Sequence, residues 1–209
     1  MYPTAEVRWF YWGTIPRAVV DWLEQGTNLP ERQTPRRDHY LRLPGNASLG
    51  IKLRERRIEV KRRTQQRGTA RFGENVVGTV EHWRKWSFPM EAAQAGADAW
   101  LTPATAWIPI DKARRLRRYG LAADGTLSQV SLGRMPQRGC EFELSEVRAG
   151  GGTWWSVCLE AFGQEDSLED SLYAVSALLL FSAWPVAMEE EQSSGYPEWF
   201  NRILDASKQ

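Results

Sequence analysis

Cysteine and histidine are scarce in this chain, with two of each among 209 residues. Cys140 and Cys158 fall in predicted strands and not in a CxxC spacing, so they read as buried free thiols and not as a disulfide or a zinc site. His39 and His82 lack a partner at catalytic or metal spacing and read as structural. A glycine-rich phosphate loop and a nucleophile triad are also missing, so no catalytic residue is assigned. The longest apolar run, near Leu178 to Trp184, is too short to span a bilayer, and no basic start leads into a signal-like apolar segment. The expectation is a cytoplasmic protein without membrane contact. A net charge of +1 argues against a general attraction to nucleic acid, although a global balance can hide local segregation.

Segregation is present. Basic residues crowd into Lys52–Arg63 and Lys112–Arg118, while acids gather at Glu165–Asp170 and Glu189–Glu191. Hydrophobic residues make up 42% and charged residues 25%, ordinary values for a folded globular chain, and the length suits one all-β domain over residues 1–209. Ala5 to Trp12 reads as a strand, followed by a short helix with Thr14 as N-cap and Gly26 as its stop. Prolines and charges make Thr27 to Arg37 a loop. The stretch LGIKLRERRIEVKRR (residues 49–63) alternates with period two on both sides of a tight turn near Arg56, the pattern of a β-hairpin. Further strands are expected at Val76–Phe88, Trp107–Tyr119, Leu127–Leu132, Cys140–Val147 and Thr153–Phe162, the first followed by a connection rich in alanine and glycine. Helical spacing takes over at the C-terminus, with helices at about 167–205.

Long antiparallel strands with few helices must bury one face and manage their edges, so the expected fold is a closed antiparallel β-barrel of mainly β, α+β class. The hairpin carries cations on one face and aliphatics on the other, and amphipathic helices are available to cover the aliphatic side from outside. The interior is therefore expected to be polar and basic, inverting the usual small barrel. Lys52, Arg54, Lys61, Lys112 and Arg114 would converge there and would repel one another unless carboxylates or a bound anion compensate. Arginine forks and lysine point charges arriving from several strands suit a polyphosphate. Arg115, Arg117 and Arg118 are expected at a solvated strand end.

With these elements in order, the sequence resembles the CYTH family of triphosphate tunnel metalloenzymes. The likeness spans nearly the whole chain: Glu6-Val7-Arg8 in the opening strand, the basic hairpin, Lys112-Ala113-Arg114, the late acidic hairpin CEFELSEV and WWSVCLEAF, and a closing helix with Tyr196 and Trp199. It implies a phosphorylated small-molecule or polyphosphate ligand held by Lys52, Arg54, Lys61, Lys112, Arg114 and Arg8. It also implies Mg²⁺ or Mn²⁺ on Glu6, Glu81 and Glu160, and hydrolysis of a triphosphate. Departures from the family pattern are specific. Its Glu-x-Glu-x-Lys opening reads Glu6, Arg8 and Phe10 here, an acidic position falls near Gly133, and the late Glu-x-Glu becomes Cys158 and Glu160. A site stripped of carboxylates binds a hard divalent ion weakly, so a catalytically silent scaffold or regulator is the alternative. A third reading is single-stranded nucleic-acid binding by Trp83 with Trp86 or Trp154 with Trp155. The oligomeric state is not legible.

Overall fold

Side chains on a strand point alternately to its two faces, and in this chain both faces are used. The computed structural model describes residues 1–25, 29–90, 101, 103–180 and 184–206. Eight antiparallel strands close into a ring: β1 (Tyr2–Trp12), β10 (Gly152–Phe162), β9 (Gly139–Ala149), β7 (Trp107–Leu121), β3 (Arg36–Leu41), β4 (Leu49–Arg54), β5 (Arg57–Gly73) and β6 (Val76–Pro89), which returns to β1. Two short strands, β2 (Glu31–Arg32) and β8 (Leu127–Val130), pair with β7 beyond the point where β3 leaves it. The small-residue connection after Phe88 lies outside the described residues.

Alternation along β1 sets the polarity of the two faces. Ala5, Val7 and Trp9 turn outward into a large apolar cluster with Phe142, Leu144, Val157 and Leu159, while Glu6, Arg8 and Phe10 turn inward. Helix α1 (Arg17–Leu23) and helix α2 (Leu168–Leu180) supply the outer layer: Val19 and Leu23 from α1 and Leu168, Leu172, Val175 and Leu179 from α2 join that cluster. The greasy layer therefore lies between the barrel wall and the helices. Trp9 is seated here because Gly78 faces it without a side chain; a Cβ at Gly78 would lie 2.5 Å from the indole.

Three expectations need correction. Helix α3 (Tyr196–Ala206) does not lie along the outer face but closes one end of the barrel. Its Trp199 stacks on Phe10 at 4.3 Å between ring centroids, and its Tyr196 stacks on Tyr40 at 5.3 Å. With Ile108, Ile110 and Val147 these rings form a second, smaller apolar cluster. The outward aliphatics of the β4–β5 hairpin, Ile51, Leu53, Ile58 and Val60, are only half-buried and belong to neither cluster among the described residues. The end of the expected loop, Arg36 and Arg37, and the unassigned residues after it form β3, Arg36–Leu41, whose alternation (Asp38 and Tyr40 buried, Arg37 and His39 less so) was masked by neighbouring prolines and charges.

The hairpin turn falls where the alternation places it. Arg54 pairs with Arg57, and Glu55 and Arg56 occupy it with φ of 48° and 60°, the left-handed geometry of a two-residue hairpin turn. Among the described residues no helix is long and apolar enough to cross a membrane.

Trp199 is 2% exposed, so Trp199→Ala is expected to destabilise the protein by about 3–5 kcal/mol. Ile51→Ser, on the half-buried outer face, should cost clearly less. Urea unfolding of the two variants checks the contrast, and equal losses would show that α3 is not an integral end cap.

Candidate functional site

The inward faces of the strands carry charge. Three carboxylates serve as hubs. Asp38 meets Arg36 at 3.2 Å, Lys52 at 3.4 Å and Lys112 at 3.6 Å. Glu59 meets Arg54 at 2.5 Å, Lys52 at 3.1 Å and Lys85 at 3.7 Å. Glu143 meets Arg8 at 2.8 Å and Arg114 at 3.3 Å. Seven cations thus share three carboxylates.

The opposite wall has the reverse balance. Register pairs Glu81 with Glu6, Glu6 with Glu160, and Glu160 with Glu141, so four carboxylates stand side by side on β6, β1, β10 and β9. Lys61 bonds Glu6 and reaches Glu160 at 3.2 Å. Arg63 bonds Glu81 and approaches Glu198 of α3 at 3.6 Å, and Arg118 bonds Glu141 at 2.7 Å. The interior is therefore uneven: cations predominate on β7, β3 and β4, and the carboxylate row stands on β6, β1, β10 and β9, among which Lys85, Arg8 and the hub Glu143 also lie.

Proton affinities follow this arrangement. Burial alone would raise the Glu143 carboxyl, but Arg8, Arg114 and Lys112 outweigh it and hold it far below the usual carboxylate range. Asp38 is likewise held low against burial, by Lys52, Lys112 and Arg36, and Glu59 by Lys52, Lys85 and Arg54. The lysines do not gain in return. Burial, reinforced by Lys52, pushes Lys112 well down, and burial lowers Lys52 although Asp38 and Glu59 pull it up. Both partners of a balanced pair normally favour their charged forms; here the carboxylates do and these two lysines do not, because burial outweighs the ion pairs at the more deeply enclosed ammonium groups. Lys112 sits deepest, its ammonium 3.7 Å from the Tyr196 ring centroid and 2.9 Å from the Tyr40 hydroxyl.

The end of the barrel opposite α3 opens into a cavity of about 1560 Å³. Arg54, Arg57, Glu59 and Lys85 line it from β4, β5 and β6, Glu141 and Glu160 face them, and Leu121, Val130, Met135, Pro136 and Phe162 form an apolar side. Tyr2 and Met135 at the rim are 68% and 64% exposed. Buried nitrogens Arg8 Nε and Arg54 Nε have no hydrogen-bond partner among the described residues.

Every residue expected to hold the ligand or a metal lies on the inner face, at different depths. Arg54 and Glu160 line the cavity; Lys61, Arg114, Glu6 and Glu81 lie further in; Lys52, Arg8 and Lys112 lie toward the aromatic cap. The basic run after Arg114 is not a solvated end. Arg117 is buried and donates to the Leu23 carbonyl, Arg115 lies 3.8 Å from Glu146, and Arg118 turns inward to Glu141 and to the carbonyls of Leu132 and Arg134. A β-strand that is covered on its outside has no solvated face for such residues. Asp38, Glu59, Arg63, Lys85, Glu141 and Glu143 were not singled out. Glu141 and Glu143 alternate visibly within CEFELSEV, whereas Asp38 gave no signal because its strand was not recognised.

The residues as they stand do not fit a divalent ion. Among the described residues no group of three or more His, Cys, Asp or Glu side chains is arranged to hold one, and each carboxylate of the row is already engaged by a lysine or arginine. Tryptophans adjacent on a strand do not form platforms: Trp83 faces the interior, over which Lys61 and Arg63 lie at 5.5 and 5.9 Å, and Trp155 packs in the outer cluster while Trp154 contacts Trp199 of the cap.

Fold and site together define an end-capped antiparallel barrel with an ionised interior. No protein-family model and no curated protein matches the chain. Among solved structures, the PH1819 protein of Pyrococcus horikoshii OT3 superposes with a TM-score of 0.48 at 10% identity, over 97% of this chain and 99% of that one. Similarity at that level carries no argument about function.

Glu81 supplies a pH test. Burial, with Glu6 adding to it, pushes its carboxyl up to about 7 despite the Arg63 hydrogen bond. A folded-state value above the unfolded one means that the native state holds the proton more tightly. The associated stability is present below about pH 4.3 and is lost as pH rises toward 7. Glu81→Gln should therefore remove a decline in stability across that window, seen as urea midpoints that fall less with pH than in the wild type. Parallel curves would contradict the assignment.

Proposed function

We propose that the barrel binds a polyanion of the phosphate class, entering through the open mouth and lying against the cation-rich wall. The observation that carries this reading is the sharing of three carboxylates by seven cations. An enclosed group of like charges at such short range is costly, and added negative charge would relieve it. Arg54 and Lys85 face the cavity directly, and a guanidinium and an ammonium side by side suit phosphate oxygens. Several cations at different depths favour a chain of phosphates over a single one.

This reading agrees with the CYTH resemblance in its ordered basic strands and its antiparallel barrel. It favours binding over hydrolysis. Metal-assisted phosphoryl transfer needs an ion to neutralise developing charge, and the carboxylates that would hold one are occupied by cationic side chains.

Titration calorimetry with tripolyphosphate and with ATP tests the proposal. Binding to the wild type is expected, weakening as salt rises, with Arg54→Ala and Lys85→Ala each reducing affinity by at least about tenfold. No heat with either ligand would favour a scaffold whose ion pairs serve only the fold.

A further inference from the structure

We infer that the Lys61 ammonium is a built-in counter-cation, occupying the place in the carboxylate row that a divalent metal would otherwise take. Neighbouring strands stand about 4.8 Å apart, so Glu81, Glu6, Glu160 and Glu141, paired across four strands, present hard oxygen donors of the kind Mg²⁺ or Mn²⁺ prefers. Into the middle of that row reaches a lysine from β5, two strands away from β1. Its Nζ bonds Glu6 and lies 3.2 Å from Glu160.

The placement of this lysine is supported from below. Its ammonium lies 5.5 Å from the centroid of the buried Trp83 ring, and Trp83 Nε1 donates to Glu81 Oε2 at 3.2 Å, which ties the platform to the same row. Lys61 is therefore held between two carboxylates by direct contact with both. Arg63 and Arg118 engage the outer members of the row, Glu81 and Glu141. A dication at Glu6 and Glu160 would have to displace the ammonium or sit against it.

Neutralising Lys61 should open the row to metal. Lys61→Gln keeps much of the side chain's length over Trp83, and Lys61→Met keeps its apolar stem. Mn²⁺ alone, titrated into each folded protein and followed by electron paramagnetic resonance of the free ion, is the test. The wild type is expected to leave Mn²⁺ free, and the variants to bind one Mn²⁺ per chain at least about tenfold more tightly. Adding Glu6→Gln to either variant should abolish the gain. Stoichiometric Mn²⁺ binding by the wild type that Glu6→Gln removes would overturn the inference, and so would folded Lys61 variants with no gain. If both variants fail to fold, the wild-type titration alone decides. No polyanion is present in these titrations, so they can fail or succeed independently of the proposed ligand.

Discussion

A charged side chain enclosed by a closed sheet has little water to turn to, so it must find its partner on another strand. Every other feature of this protein depends on that constraint. At an effective dielectric constant near 20, two like charges 4 Å apart repel by about 4 kcal/mol, and a barrel that points Arg8, Lys52, Lys112 and Arg114 inward can close only if Asp38, Glu59 and Glu143 lie among them. The pairs are long-range in sequence: Arg8 with Glu143, Lys61 with Glu6 and Glu160. Breaking one partner leaves the other buried and uncompensated, which is far more damaging than losing a surface pair.

The same constraint dictates where the apolar side chains go. With the interior given to ions, Val7, Leu144, Val157 and Leu159 must be buried outside, and α1 and α2 exist to cover them. Helix α3 does something different, because a polar channel needs an end. Phe10, in a frame where charged residues would continue the polar lining, meets Trp199 and Tyr196 and begins the aromatic cap. The channel is thus closed at one end by rings and open at the other.

Much of this was legible from alternation. LGIKLRERRIEVKRR fixes the hairpin, its turn and the side on which Lys52, Arg54 and Lys61 lie, because a period of two leaves no freedom once one face is aliphatic. The inverted polarity followed from the same pattern. What alternation could not reveal was pairing between distant strands: that Glu81, Glu6, Glu160 and Glu141 stand in one row is a matter of register across four strands, and register is set by the whole ring. Strand β3 was hidden because its six residues sit among prolines and arginines. The burial of Arg117 and Arg118 was missed because the sequence does not say that α1 and the segment around Leu132 cover the end of β7.

The account stands or falls on whether the cation-rich wall receives an anion. A crystal structure of the protein with tripolyphosphate should show the phosphates inside the mouth, within hydrogen-bonding distance of Arg54 and Lys85, with Lys61 still on Glu6 and Glu160. Phosphates found only on outward-facing arginines, with the interior ion pairs unchanged, would contradict it.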